Sequence, residues 1–192
     1  SLDKRRSPLI RISLKISDKN ILEEFRNELK VNSKLLYDKR NKKESAILSF
    51  RSEKMANDLS KYGIVPDKTY VTKHLPIVPQ KLLKHFLRGL IDGDGSIYQS
   101  KKGQWFIDLC SYHESICADF QNLCLSFLND KNKTKIANYG TAYHIKFEKK
   151  SQVKQLATVL YKDSNVYLTR KYEKAQQIFE NNNEEDIVYS DH

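Results

Sequence analysis

Phe86-Leu87-Arg88-Gly89-Leu90-Ile91-Asp92-Gly93-Asp94-Gly95-Ser96-Ile97 joins a helical pattern to an acidic, glycine-rich end and then to the start of a strand. Leu82, Leu83, Phe86, Leu87, Leu90 and Ile91 share one broad face, which predicts an apolar helix over Lys81 to Ile91. The Gly-Asp-Gly that follows is expected to release the helix, because glycine accepts the backbone turn that ends one. Asp92 and Asp94 then stand at a helix terminus, where carbonyls lack partners and the dipole is negative. Hard oxygen donors in such a place suit a cation, although the same residues are also ordinary turn chemistry.

Working outward, composition sets the bounds. The chain has 192 residues, enough for one domain or two small ones, and 39% hydrophobic residues are enough for a core. A net charge of +10, with 30% charged residues, favours a polyanionic partner, nucleic acid before a membrane surface. No long apolar run, signal peptide or lipidation motif argues for a membrane. Cys110, Cys117 and Cys124 cannot all pair within the chain and show no zinc spacing, so a reduced, intracellular protein is expected. Cys117 and Cys124 are seven residues apart in a helical stretch and read as core.

Upstream of the motif, Ile10, Ile12, Leu14 and Ile16 alternate with Arg11, Ser13, Lys15 and Ser17, a strand with one polar, basic face. Asp18 can cap a helix from Lys19 to Lys30. Strands follow at Lys34 to Tyr37 and Ser45 to Phe50, joined by a charged turn, then a helix from Ser52 to Tyr62. Pro66-Asp67-Lys68-Thr69 leads toward the motif. After the motif the same order returns. Ser96 to Tyr98 and Trp105 to Ser111 read as a hairpin, Ser115 to Leu128 as a helix, Lys135 to Tyr139 and Ala142 to Phe147 as a second hairpin, and Ser151 to Tyr161 as a helix. Leu168-Thr169-Arg170-Lys171-Tyr172 takes the place of the earlier basic loop. The tail from Asn181 to His192 is polar and acidic.

Leu87-Arg88-Gly89-Leu90-Ile91-Asp92-Gly93-Asp94-Gly95 closely resembles the signature of the LAGLIDADG homing endonucleases. The resemblance implies an α+β fold of two pseudo-symmetric αββαββα-like halves with antiparallel, saddle-shaped sheets. The first half, 1–80, lacks its leading motif helix; the second, 81–180, carries it over 81–95; the tail is 181–192. A second motif helix is expected from an upstream segment or another chain, with Gly89 and Gly93 allowing the close approach. Arg88 departs from the small residue of the pattern, so it must face away from that partner or find a carboxylate.

The same resemblance implies sequence-specific cleavage of double-stranded DNA across the minor groove, leaving 3′ overhangs. Asp94 is the implied metal ligand, with Gly93 in the same site; the metal is magnesium, for which calcium or manganese can stand in. Asp92 takes a local structural role. Lys68 and Lys171 correspond to lysines near the attacking water; a phosphate contact or a solvated charge is the alternative for each. Asp18 and His113 fall where polar residues organise water, and His113 with Glu114 can equally be a helix cap. The polar strand faces are where DNA should lie. Candidates there are Arg11, Ser13, Lys15, Lys34, Tyr37, Lys39, Arg40, Tyr98, Gln99, Gln104, Asp108, Lys135, Asn138, Tyr139, His144 and Lys146. Two other classes stay open: a non-cleaving binder on the same fold, such as an intron maturase or transcription regulator, and an intein-embedded nuclease domain.

Overall fold

The computed structural model of the chain describes residues 7–39, 44–65 and 73–180. Lys68, Arg40 and the tail expected at 181–192 lie outside the described residues. The chain divides into two compact units, Ser1–Lys68 and Thr69–His192.

The first unit holds β1 (Leu9–Lys15), a 3-10 turn (Ile16–Asp18), α1 (Lys19–Glu28), β2 (Leu36–Asp38), β3 (Ser45–Arg51) and α2 (Glu53–Lys61). Its antiparallel sheet has the order β1-β3-β2. Ala46, Leu48 and Phe50 of β3 are buried and face Leu14, Ile12 and Ile10 across the register, and Leu22 of α1 closes the core from one side. Lys30, with a φ of 51°, ends α1: its N–H and that of Val31 turn back onto Asn27 and Arg26. Asp18 occupies the capping position of α1, but its carboxylate makes no capping bond and is buried at 8% exposure, so the expected cap is not formed. Ser52 does cap α2, accepting from the Met55 N–H at 3.2 Å.

The second unit holds α3 (Gln80–Asp94), β4 (Gly95–Gln99), β5 (Trp105–Ser111), α4 (Glu114–Ser126), β6 (Ile136–Asn138), β7 (Tyr143–Phe147), α5 (Lys150–Tyr161) and α6 (Thr169–Glu180). Its antiparallel sheet has the order β4-β5-β7-β6. The run β5-α4-β6-β7-α5 therefore repeats β1-α1-β2-β3-α2 with the same strand order, as the sequence repeat implies. One core joins Leu83, Leu87 and Ile91 of α3 to Ile107, Leu109, Ile145 and Phe147 of the sheet, with Phe120, Leu156 and Tyr161 packed in. Each such aliphatic side chain contributes about 1.5–3 kcal/mol on burial. Cys117 and Cys124 are buried here, and all three cysteines are free.

The segment before α3, read from sequence as part of the first half, is tied to α4. Ser115 Oγ donates to the Lys73 carbonyl, and the Asp119 carboxylate accepts from the Leu75 N–H at 3.0 Å and meets His74 at 3.0 Å. Among the described residues no helix is long and apolar enough to cross a membrane.

Candidate active site and nucleic-acid face

The motif helix does not stop at its first Gly-Asp-Gly glycine; α3 runs through Gly93 to Asp94 and ends at Gly95. The reason lies at Gly95, where a Cβ would stand 2.7 Å from Ile91 Cα and 2.9 Å from the Asp108 carbonyl. Only a residue without a side chain lets the helix end turn directly into β4 against β5. Nothing comparable constrains Gly89 or Gly93, whose Cβ positions have no atom within 4 Å. With Leu82, 47% exposed, and the half-buried Phe86, these two glycines form a stripe along α3 at helical spacing.

Two residues apart in a helix, Asp92 and Asp94 point about 200° from each other. Asp94 is exposed. Asp92 is buried, at 8% exposure, and accepts from the Tyr161 hydroxyl at 2.8 Å and the Leu168 N–H at 3.1 Å. Burial holds its carboxyl above the ordinary value, while Tyr161, Leu168, Lys171 and Arg88 oppose the shift. Burial also raises the Tyr161 phenol, with Asp92 adding to it. Asp92 thus has the structural part that the resemblance implied.

Arg88 finds carbonyls rather than a carboxylate. Its Nε donates to Val166 O at 2.8 Å and Nη1 to Leu160 O at 3.0 Å, closing the end of α5 and the loop beyond it. Nη2 lies 3.0 Å from His85 Nδ1. Burial, then Arg88 and Lys84, lower the His85 pKa, which keeps that nitrogen an acceptor. Arg88 itself is buried at 6% exposure, on the side of α3 away from the open stripe.

Lys171 departs most from its expectation. Leu168 to Tyr172 is not a loop: α6 begins at Thr169, and Lys171 lies in its first turn, 4% exposed. Its ammonium donates to the carbonyls of Ile91, of Asp92 at 2.7 Å and of Gly95 at 2.8 Å. The Ile91 carbonyl also accepts from the Gly95 N–H, and a cation at this helix end opposes the helix dipole. In place of a solvent-facing lysine, the structure has a buried cap. Lys174 adds a 2.8 Å bond to the Ile97 carbonyl, so α6 holds both sides of the α3-β4 junction. The contacts of Tyr161 and Leu168 with Asp92, and the helix α6 itself, escaped the sequence reading, although Leu168, Tyr172, Ala175 and Ile178 carry a helical period that could have revealed the helix. His113 precedes α4 at the capping position with no side-chain capping bond, and its Nε2 is buried without a partner.

On the second sheet, the face away from the core brings together Ser96 and Tyr98 of β4, Phe106, Asp108 and Cys110 of β5, and His144 and Lys146 of β7. The Tyr98 and Phe106 rings stack with centroids 5.1 Å apart, and Lys146 Nζ lies 5.0 Å above the Phe106 ring. His144 Nδ1 meets the Asp108 carboxylate at 3.1 Å, and the Tyr139 ring stands edge-on to His144 at 5.2 Å. Phe106 was missed because it sits in the continuous apolar run Trp105-Phe106-Ile107. Gln99 and Asn138 have the opposite alternation, in register with Trp105 and Tyr143, and are not part of this face. Gln99 bonds the Gly103 carbonyl and Gln104 the Glu148 carbonyl, so both hold the sheet's end. Lys135 precedes β6 with the alternation of Ala137, which pairs with His144.

On the first sheet, Arg11, Ser13 and Lys15 share the outer face with Ser49, Ile47 and Ser45. Because β2 is Leu36–Asp38, it is Leu36, paired with Ile47, that belongs to this face, whereas Tyr37 pairs with core residue Ala46. Lys34 precedes the strand with the alternation of Leu36, and Lys39 follows it.

Together these features define an α+β protein with repeated antiparallel sheets and a helix ending in an exposed carboxylate. Residues 81–161 match the model of the LAGLIDADG-like domain. The fold is shared with the LAGLIDADG meganuclease I-AabMI, solved bound to uncleaved DNA: 15% identity, TM-score 0.57, over 94% of this chain and 82% of that one. It is shared with the LAGLIDADG homing endonuclease I-GzeII, in complex with its DNA target, at 13% identity and TM-score 0.55, over 93% and 81%. Full-length DUF199/WhiA from Thermatoga maritima gives 17% identity and TM-score 0.54 over 93% of this chain, which spans 54% of that protein. No curated protein matches in sequence.

Proposed function

We propose that this chain is the motif-bearing part of a sequence-specific, divalent-metal-dependent endonuclease that cuts double-stranded DNA and leaves 3′ overhangs. The observation that carries this reading is the split between the two motif carboxylates. Asp92 is consumed by the fold, while Asp94 is presented to solvent at the end of a helix where Lys171 already meets the Ile91 and Asp92 carbonyls. A pure scaffold has no use for the second carboxylate.

The donor set fits a hard, well-hydrated ion. Among the described residues no group of three or more His, Cys, Asp or Glu is placed to enclose a metal. A site built on Asp94 is therefore open, as magnesium's preference for waters and substrate phosphates over a full protein cage allows; calcium or manganese would use the same oxygen. When bound, the ion would stabilise the charge that builds on the phosphate. The protein's own part is to hold Asp94 at the end of a rigid element. Lys171, Arg88, Asp92 and Tyr161 do this as one connected buried group, so Lys171 is proposed as a positioning residue. Lys68 keeps the role near the attacking water that the resemblance gives it, and Gly93 a place beside the metal.

Lys146, His144, Arg11 and Lys15 would meet phosphates and base edges from the sheet faces. The stripe of Leu82, Phe86, Gly89 and Gly93 would receive the second motif helix, from an upstream segment or another chain. A second reading, a non-cleaving nucleic-acid binder such as a maturase or transcription regulator, is favoured by one observation: Lys171 is locked in the fold. Incubating the protein with a randomised duplex library in magnesium, with calcium as binding-only control, separates the two. Staggered cuts in magnesium alone support the nuclease; enrichment of one duplex without cuts supports the binder.

A further inference from the structure

The outer face of the first sheet is polar and basic along β1 but has an apolar floor. Leu36 is 56% exposed, and its cross-strand partner Ile47 is 4% exposed although it lies on the side away from the core cluster. Together with Arg11, Tyr37, Asp38 and Lys39, these two residues line a shallow depression of about 600 Å³.

A single exposed leucine needs no explanation. This one sits on the edge strand β2 beside a second apolar side chain, in a depression whose rim carries an arginine and a lysine. Such a rim would hold phosphates on either side, and what then reaches the floor is the edge of a base in the major groove. Of the groups presented there, the C5 methyl of thymine is the one an apolar floor recognises; the others donate or accept hydrogen bonds and would be left unpaired.

We infer that the Leu36–Ile47 floor reads a thymine methyl in the major groove of the bound duplex. This rests on the nucleic-acid reading above and adds the base class that the first unit selects. Arg11 and Lys39 contact the backbone and fix the register, and Leu36 supplies the discrimination.

The test uses the full chain and the duplex it selects from a randomised library in calcium. Each thymine is replaced in turn by deoxyuridine, which removes the methyl and leaves the hydrogen-bonding edge intact. At one or two base pairs the replacement should weaken binding about fourfold, the worth of one buried methyl group. Leu36→Ala should weaken binding to the thymine duplex similarly and no longer distinguish thymine from deoxyuridine there, while Leu36→Met retains the difference. Equal binding of thymine and deoxyuridine duplexes at every position overturns this inference and leaves the nucleic-acid reading standing, as does a Leu36→Ala protein that still discriminates. Selection of no duplex at all overturns both.

Discussion

The Tyr161 hydroxyl donates a 2.8 Å hydrogen bond to the Asp92 carboxylate, joining the end of α5 to the end of the motif helix across 69 positions of sequence. Both groups are buried, so removing the donor leaves an acceptor unpaired. Tyr161→Phe should therefore cost about 1–3 kcal/mol despite its near-identical shape. Urea unfolding measures this directly.

The same carboxylate makes a pH prediction. Asp92 titrates above its ordinary value of 3.8, chiefly through burial. Its contribution to stability is thus fully present below that ordinary value and is lost as pH rises through the raised one. Asp92→Asn has no charge to bury but loses the match to two donors. The variant should be less stable than the natural protein at low pH, with a deficit that shrinks as pH rises; unfolding midpoints over a pH series reveal the trend.

Lys171→Met fills similar volume and removes the ammonium donor from the carbonyls of Ile91, Asp92 and Gly95. A loss of about 3–5 kcal/mol is expected, as when one partner of a buried charged contact is removed. A variant with unchanged unfolding and lost cleavage would instead give Lys171 a direct part in the chemistry.

The glycines of the motif should separate by role. Gly95→Ala forces a methyl group against the Ile91 backbone and the Asp108 carbonyl and should cost about 1–3 kcal/mol in stability. Gly89→Ala and Gly93→Ala meet no atom and gain helix propensity, roughly 1 kcal/mol each. They should leave this chain as stable as before or more so, and weaken its association with a second motif helix, which sedimentation with that segment would register.

The strands were legible where one face is wet. The alternation of Ile10, Ile12 and Leu14 with Arg11, Ser13 and Lys15 places β1 and its faces correctly. Where both faces carry apolar side chains the pattern disappears: Ala46-Ile47-Leu48 reads as a plain apolar run, and the outer-face position of Ile47 emerges only from its pairing with Leu36 and Ser13. The α6 helix was hidden for a related reason, since Arg170 and Lys171 resemble a solvated turn. A lysine buried by contacts with carbonyls some eighty positions away leaves no local mark. The structural part of Asp92, by contrast, was legible through family resemblance, and helix geometry turns Asp94 away from it to an exposed position.

Asp94 is the residue on which the nuclease proposal stands. The most direct measurement compares the natural protein with Asp94→Asn on the duplex each selects, scoring binding in calcium and cleavage in magnesium. Loss of cleavage with binding retained is the expected result. Cleavage by Asp94→Asn at the natural rate would contradict it.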